Sequence, residues 1–199
     1  MKRFIAVLIA IVLLVASPAL ADRPKLTATP EYTEVTTAIA DLLNAKENPS
    51  QSDLSTTEIE QKLGALNLQK YILETASDWS QCSNQTGKTI AIFAHKAKTA
   101  QPGMLYYLAD SEMTDDDWNC DAVYLPTGTK LAGQPELTEP LAAQFVSGTQ
   151  MVAKTTPTGE LEFNVSPAKL LKSGEGNLII PNLTLASVET TTPNAPIED

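Results

Sequence analysis

The sequence predicts an α+β domain, with N-terminal helices packed on a mostly antiparallel sheet of short strands. Three observations carry that expectation. Apolar residues between Glu31 and Ala76 recur at three- and four-residue spacing, the repeat of one helical face. Past Cys82 the repeat falls towards two, and short apolar runs alternate with Gly, Pro and Asn turns. Regular strand–helix alternation, which a doubly wound parallel sheet requires, is missing.

The chain opens on an expected export signal. Met1-Lys2-Arg3 is positively charged, Phe4 to Ala16 is almost wholly apolar, Ser17-Pro18 interrupts, and Ala19-Leu20-Ala21 offers alanine where a signal peptidase reads. The apolar run of 13 residues is short of the roughly 20 that span a bilayer. Cleavage after Ala21 leaves 178 of the 199 residues, enough for one domain with its own core. The mature chain is expected to be soluble, with no transmembrane segment.

Residues 22–31, with Pro24 and Pro30, read as an extended lead-in. A first helix is expected over Glu31 to Lys46, where Val35, Ile39, Leu42 and Leu43 share a face. A polar break around Pro49 follows. Ser55 and Glu58 then form a capping box opening a second helical region, with Ile59, Leu63, Leu66, Tyr71, Ile72 and Ala76 inward. Gly64 and Asn67 leave open whether this region is one helix or two.

Asn84 to Gly87 reads as a turn. Thr89 to Ala97 is apolar on both faces at its centre and predicts an interior strand. Gln101-Pro102-Gly103 turns the chain into a second strand, Met104 to Ala109, and Ala122 to Leu125 gives a third. Leu137 to Val146 is expected as a short helix capped by Thr138. A hairpin follows: Thr149 to Thr155 and Glu160 to Val165 flank Pro157-Thr158-Gly159. Asn177 to Val188 is expected as a last strand, demoted to an edge by Pro181. The chain thus divides into a cleaved signal (1–21), the lead-in (22–31), a single α+β domain (32–188) and a flexible acidic tail (189–199).

Charge narrows the function classes. The chain holds 14 basic and 24 acidic residues, a formal charge of -10; loss of Lys2 and Arg3 with the signal would make it -12. That field repels phosphate backbones and anionic headgroups, so no nucleic-acid partner is expected. A basic ligand or an envelope protein suits it better.

Two cysteines remain in the mature chain, Cys82 and Cys120. In an exported protein they predict a disulfide, because the wide spacing does not match the C-x-x-C of a redox pair. Each follows a tryptophan, as Asp78-Trp79-Ser80-Gln81-Cys82 and Asp117-Trp118-Asn119-Cys120. The indoles are read either as a cover for the bond at the edge of the core or as an exposed aromatic face. Trp79, Trp118, Asp78, Asp115, Asp116 and Asp117 are therefore the candidate binding residues.

No catalytic set emerges. His95, the only histidine, sits in a strand-like run without a nucleophile motif and reads as a structural residue. It leaves too few nitrogen and sulfur ligands for zinc once the cysteines are bonded. The EF-hand register from Asp115 fails: Cys120 occupies the glycine position, and Pro126 the bidentate glutamate position. Calcium through another geometry is the one cofactor reading left. Lys169 to Gly176 resembles a phosphate loop in composition but not in order. Sequons at Asn84, Asn164 and Asn182 receive no function in a bacterial envelope protein.

The leading expectation is an exported, non-enzymatic domain that binds a protein partner or ligand in the bacterial cell envelope. The alternatives are a small envelope hydrolase working through paired carboxylates near the tryptophans, for example on glycans, and a calcium-stabilised structural module.

Overall fold

A computed structural model describes residues 25–49, 52–99 and 101–197. The expected export signal lies outside the described residues. Within them, α1 (Pro30–Glu47) and α2 (Thr56–Thr75) precede eight strands: β1 (Gln81–Gln85), β2 (Ile90–Lys96), β3 (Met104–Leu108), β4 (Trp118–Leu125), β5 (Leu141–Gln144), β6 (Gln150–Thr155), β7 (Leu161–Phe163) and β8 (Lys169–Lys172). A third helix, α3 (Leu185–Thr191), follows. The architecture is α+β, as expected.

The lead-in is not extended throughout. Leu26–Ala28 makes a 3-10 turn, Leu26 is buried, and Pro30 opens α1. Proline suits that place because the first helical amide has no partner to lose. The capping box is formed in full: Ser55 Oγ accepts from the Glu58 amide, and the Glu58 carboxylate accepts from the Ser55 amide. α2 then runs unbroken through Gly64 and Asn67. Asn67 turns its side-chain amide back to the Leu63 carbonyl (2.8 Å), which spares the helix a break. Tyr71, expected inward, is 62% exposed, and Leu73 is buried in its stead. The two helices are tied by Tyr32, whose hydroxyl donates to Glu74 (2.7 Å), and by the Lys46–Glu60 ion pair (3.1 Å).

Two sheets follow. The larger has the order β3-β2-β4-β5-β8, every neighbour antiparallel. The smaller has the order β1-β6-β7, with β1 parallel to β6 and β7 antiparallel to it. β2 lies inside the larger sheet and is covered on both faces. Ile90, Ile92 and Ala94 belong to the core shared with Met151 and Ala153 of the smaller sheet. Ala91 and Phe93 belong to the opposite core, closed by Leu178, Ile180 and Val188. The helical pair packs against this body through a third cluster, in which Leu26, Val35 and Leu73 meet Val146 after β5 and Ala168 before β8.

Four segments differ from expectation. Gln81–Gln85, partly read as a turn, is β1, a polar strand held by main-chain pairing with β6. The segment expected as a helix over Leu137 to Val146 contains β5 instead. Leu141, Ala142 and Ala143 are all buried between two neighbouring strands, and a run buried on both faces has no periodicity to separate helix from strand. β8, Lys-Leu-Leu-Lys, is an edge strand whose lysines suit an exposed border.

The last strand expected over Asn177 to Val188 is an extended segment followed by α3. Leu178 and Ile180 are buried while Ile179 is 89% exposed, so the burial alternates like a strand without a ladder partner. Residues 189–197 fall in the stretch expected as a flexible acidic tail, 189–199. Glu189 to Thr191 complete α3, and Pro193 to Ile197 run along β3 and the loop after it. The Ala195 amide donates to Tyr107 (2.7 Å), the Tyr107 amide to Pro193 (3.1 Å) and the Asp115 amide to Pro196 (3.0 Å). Ala195 is buried by this docking.

Candidate functional site

The expected disulfide is formed. Cys82 of β1 is bonded to Cys120 of β4, with Cα atoms 5.8 Å apart. The bond joins the two sheets, and main-chain contacts brace it. The Cys120 amide donates to Ser80 (2.9 Å), and the Thr114 amide to Cys82 (3.0 Å). The Cys82 amide donates to Thr114 Oγ1 (3.0 Å).

The tryptophans have different surroundings. Trp118 packs edge-on against Tyr106, ring centres 5.7 Å apart, on the core that contains both cysteines. Trp79 is half-buried and makes no ring contact among the described residues, so the two indoles form no common aromatic cluster. Asp78, Asp116 and Asp117 are exposed. Asp115 accepts from the Asp117 amide (2.7 Å), which shapes the turn into β4. Among the described residues no three His, Cys, Asp or Glu side chains gather to hold a metal ion.

His95 gains a partner that its sequence surroundings did not show. Its Nδ1 lies 2.7 Å from Asp121 Oδ2. A β-bulge makes the meeting: Phe93 pairs with Ala122 but Ala94 with Cys120, so Asp121 is the extra residue of β4. Gly103 gives it room, since a Cβ there would lie 2.5 Å from Asp121 Oδ2. The hydrogen bond to Asp121 raises the His95 pKa above its ordinary value, with burial opposing. Asn119 Nδ2 donates to the other Asp121 oxygen (2.8 Å), and Asn119 Oδ1 accepts from the Ser80 amide (3.1 Å).

An imidazole oriented by a carboxylate is two-thirds of a hydrolytic triad. Ser80 does not complete it. It lies beyond Asp121 and Asn119, on the carboxylate side of the ring, and its Oγ accepts from the Gly148 amide (2.7 Å). His95 is held through Nδ1 by Asp121, and the polar chain links β2, β4 and the loop after β5.

Two clefts open at opposite ends of the sheets. One, of about 450 Å³, lies between the helices and the larger sheet and includes Glu31, Glu34 and Asp121. All three carboxylates are engaged within the fold. Glu31 accepts from the Ser147 amide (3.3 Å), Glu34 faces Lys169 (3.6 Å), and Asp121 holds His95. The other, of about 500 Å³, opens at the opposite end of the sheets, between the β1–β2 turn, the loop after β4, the β6–β7 hairpin and the start of α3. Half-buried Leu161, Leu183 and Leu185 give it apolar walls, and Lys88 and Lys130 bring positive charge. It has no Asp, Glu, His or Cys in its lining. Neither tryptophan lines either cleft.

The larger cleft was not legible in the sequence. Its walls come from segments up to 99 residues apart, Thr86 to Leu185, and none carries a motif. Sequon residue Asn84 is fully buried with its amide bonded inside the fold, so it offers no glycan acceptor in the folded chain.

Fold and site together define a disulfide-bridged, two-sheet α+β domain with an apolar, lysine-bearing cleft. The chain matches no protein-family model, no curated protein and no solved structure at a significant level. No helix among the described residues is long and apolar enough to cross a membrane.

Proposed function

We propose that this chain is an exported, non-enzymatic domain that binds a ligand or protein partner in the bacterial cell envelope. The observation that carries the reading is the cleft of about 500 Å³. Its volume lies in the range of small-molecule sites, and its walls combine apolar side chains with a few polar groups. They lack the carboxylates, imidazole and thiol that most often move protons or attack substrates. Tyr124, also in the lining, has its hydroxyl committed to Pro181 (2.9 Å) and to Leu183, whose carbonyl accepts (2.8 Å) and whose amide donates (3.0 Å). Such a cleft is suited to holding a molecule more than to transforming one.

Export is supported by Ala19-Leu20-Ala21 and by a disulfide of the kind that persists in oxidising compartments. Exposed Asp78, Asp116 and Asp117, with Trp79 and Trp118 beside them in sequence, supply an acidic edge for a basic partner surface. The test is native mass spectrometry of the chain recovered from an envelope extract. A bound mass that disappears when Leu185→Trp fills the cleft supports the reading. A chain that never carries a ligand and captures no partner through the acidic edge would sink it.

A carboxylate-dependent hydrolase is the second reading, favoured by Glu31, Glu34 and Asp121 in the helix-side cleft. It requires turnover of an envelope glycan that Glu34→Gln abolishes while the fold is kept.

A further inference from the structure

We propose that the cleft walled by Leu161, Leu183 and Leu185 takes a medium-chain carboxylate, its apolar tail against these leucines and its anionic end at Lys88. This rests on the reading of the chain as a binding domain and names the chemistry of its ligand.

The chain carries -10 overall, yet the cleft lining holds two lysines and no acid. Lys130 is partly compensated by Glu136, 3.6 Å away. Lys88 forms no ion pair among the described residues. Glu189 reaches the cleft only through Thr89, which donates to it at 3.4 Å. The uncompensated charge is therefore that of one ammonium, which matches a monoanion better than a dianion.

Polar recognition beyond that charge is restricted. Thr86, Thr129, Thr155 and Thr184 commit their hydroxyls to bonds inside the fold. What remains is apolar contact, the side chains of Thr127 and Asn182, and one uncompensated cation. Leu161 extends the core between the two sheets, whereas Leu183 and Leu185 extend the core on the other face. The cleft thus crosses the end of the larger sheet and touches apolar edges from both sides. A flexible hydrocarbon tail fits such a surface, and burial of each methylene contributes to binding without directional bonds.

The test titrates the disulfide-bonded, isotope-labelled chain with decanoate, decanol and decylammonium in parallel, each below its aggregation concentration. Amide shifts locate the site and isothermal titration gives the affinity. Decanoate should perturb Lys88, Lys130 and Leu183 to Leu185, and bind more tightly than decanol. Lys88→Gln, a change at an exposed side chain, should weaken decanoate about fivefold at low salt, the scale of one exposed charge pair, and leave decanol unchanged. Equal binding of decanoate and decanol in the cleft, or preference for decylammonium, overturns the carboxylate assignment and leaves the binding reading standing. If none of the three perturbs the cleft, the assignment fails and the cleft no longer supports the binding reading.

Discussion

Cys82 is bonded to Cys120 across the boundary between the two sheets, so the bond ties β1 of the smaller sheet to β4 of the larger. Their sequence separation is 38 residues. Restricting a loop of that length in the unfolded chain stabilises by roughly 2–4 kcal/mol. Replacing both cysteines by alanine should lower the urea midpoint by the corresponding amount. Intact mass after alkylation should show no label before reduction and two labels after it. Two labels on the native chain would refute the bond.

The His95–Asp121 contact makes stability depend on pH. The folded His95 pKa is raised above its ordinary 6.5 by the Asp121 hydrogen bond. A raised histidine contributes stability that is fully present below 6.5 and is lost as pH rises through the folded value. Urea unfolding of the wild type and of His95→Gln, followed from pH 5.5 to pH 9, should therefore converge as the pH rises (roughly the window set by the ordinary histidine value). A histidine titration seen by NMR at or below 6.5 would contradict the direction of the shift.

Gly148 and Gly87 should respond differently to alanine. Both have positive φ, +84° and +76°. A Cβ on Gly148 would collide with Ala76 Cβ and stand 2.8 Å from Leu26 Cδ1, whereas one on Gly87 meets nothing within 4 Å. Gly87→Ala should cost about 1–2 kcal/mol from backbone conformation alone. Gly148→Ala adds overpacking of roughly 1–3 kcal/mol at the contact between helices and sheets. Similar melting temperatures for the two variants would show that the helices yield freely there.

Asn84 is the polar hub of the turn after β1. Its Nδ2 donates to the Lys88, Leu108 and Ala109 carbonyls at 2.7–2.9 Å, and its Oδ1 accepts from the Thr86 amide and hydroxyl. Asn84→Asp keeps the shape but turns the donor into an acceptor facing three carbonyl oxygens. The expected loss is about 3 kcal/mol at neutral pH, easing in acid as the carboxyl protonates. A variant as stable as the wild type at pH 7 would refute this account.

Ser55 and Glu58 announce the start of α2 because a capping box is a local device, complete within four residues. Pro157-Thr158-Gly159 announces the β6–β7 hairpin for the same reason. β2 reads as interior because its apolar residues serve both cores. β1 and β8 do not read as strands, since their stability is in main-chain pairing with β6 and β5: β1 is nearly all polar, and the four residues of β8, Lys-Leu-Leu-Lys, do not alternate. Of the candidate site residues, Cys82 and Cys120 meet as expected, whereas Trp79 and Trp118 do not share one aromatic cluster.

The sequence by itself determined the α+β class, the starts of α1 and α2, the hairpin and the pairing of the only two cysteines. Each follows from short-range pattern or from elimination within one chain. Only the tertiary structure decided that the disulfide joins two sheets, that a bulge turns Asp121 to His95, and that Lys88, Leu161 and Leu185 wall one cleft. Those relations depend on register, strand order and packing between residues distant along the chain. A periodic pattern records which face of an element is buried, and carries no information on which distant element will cover it.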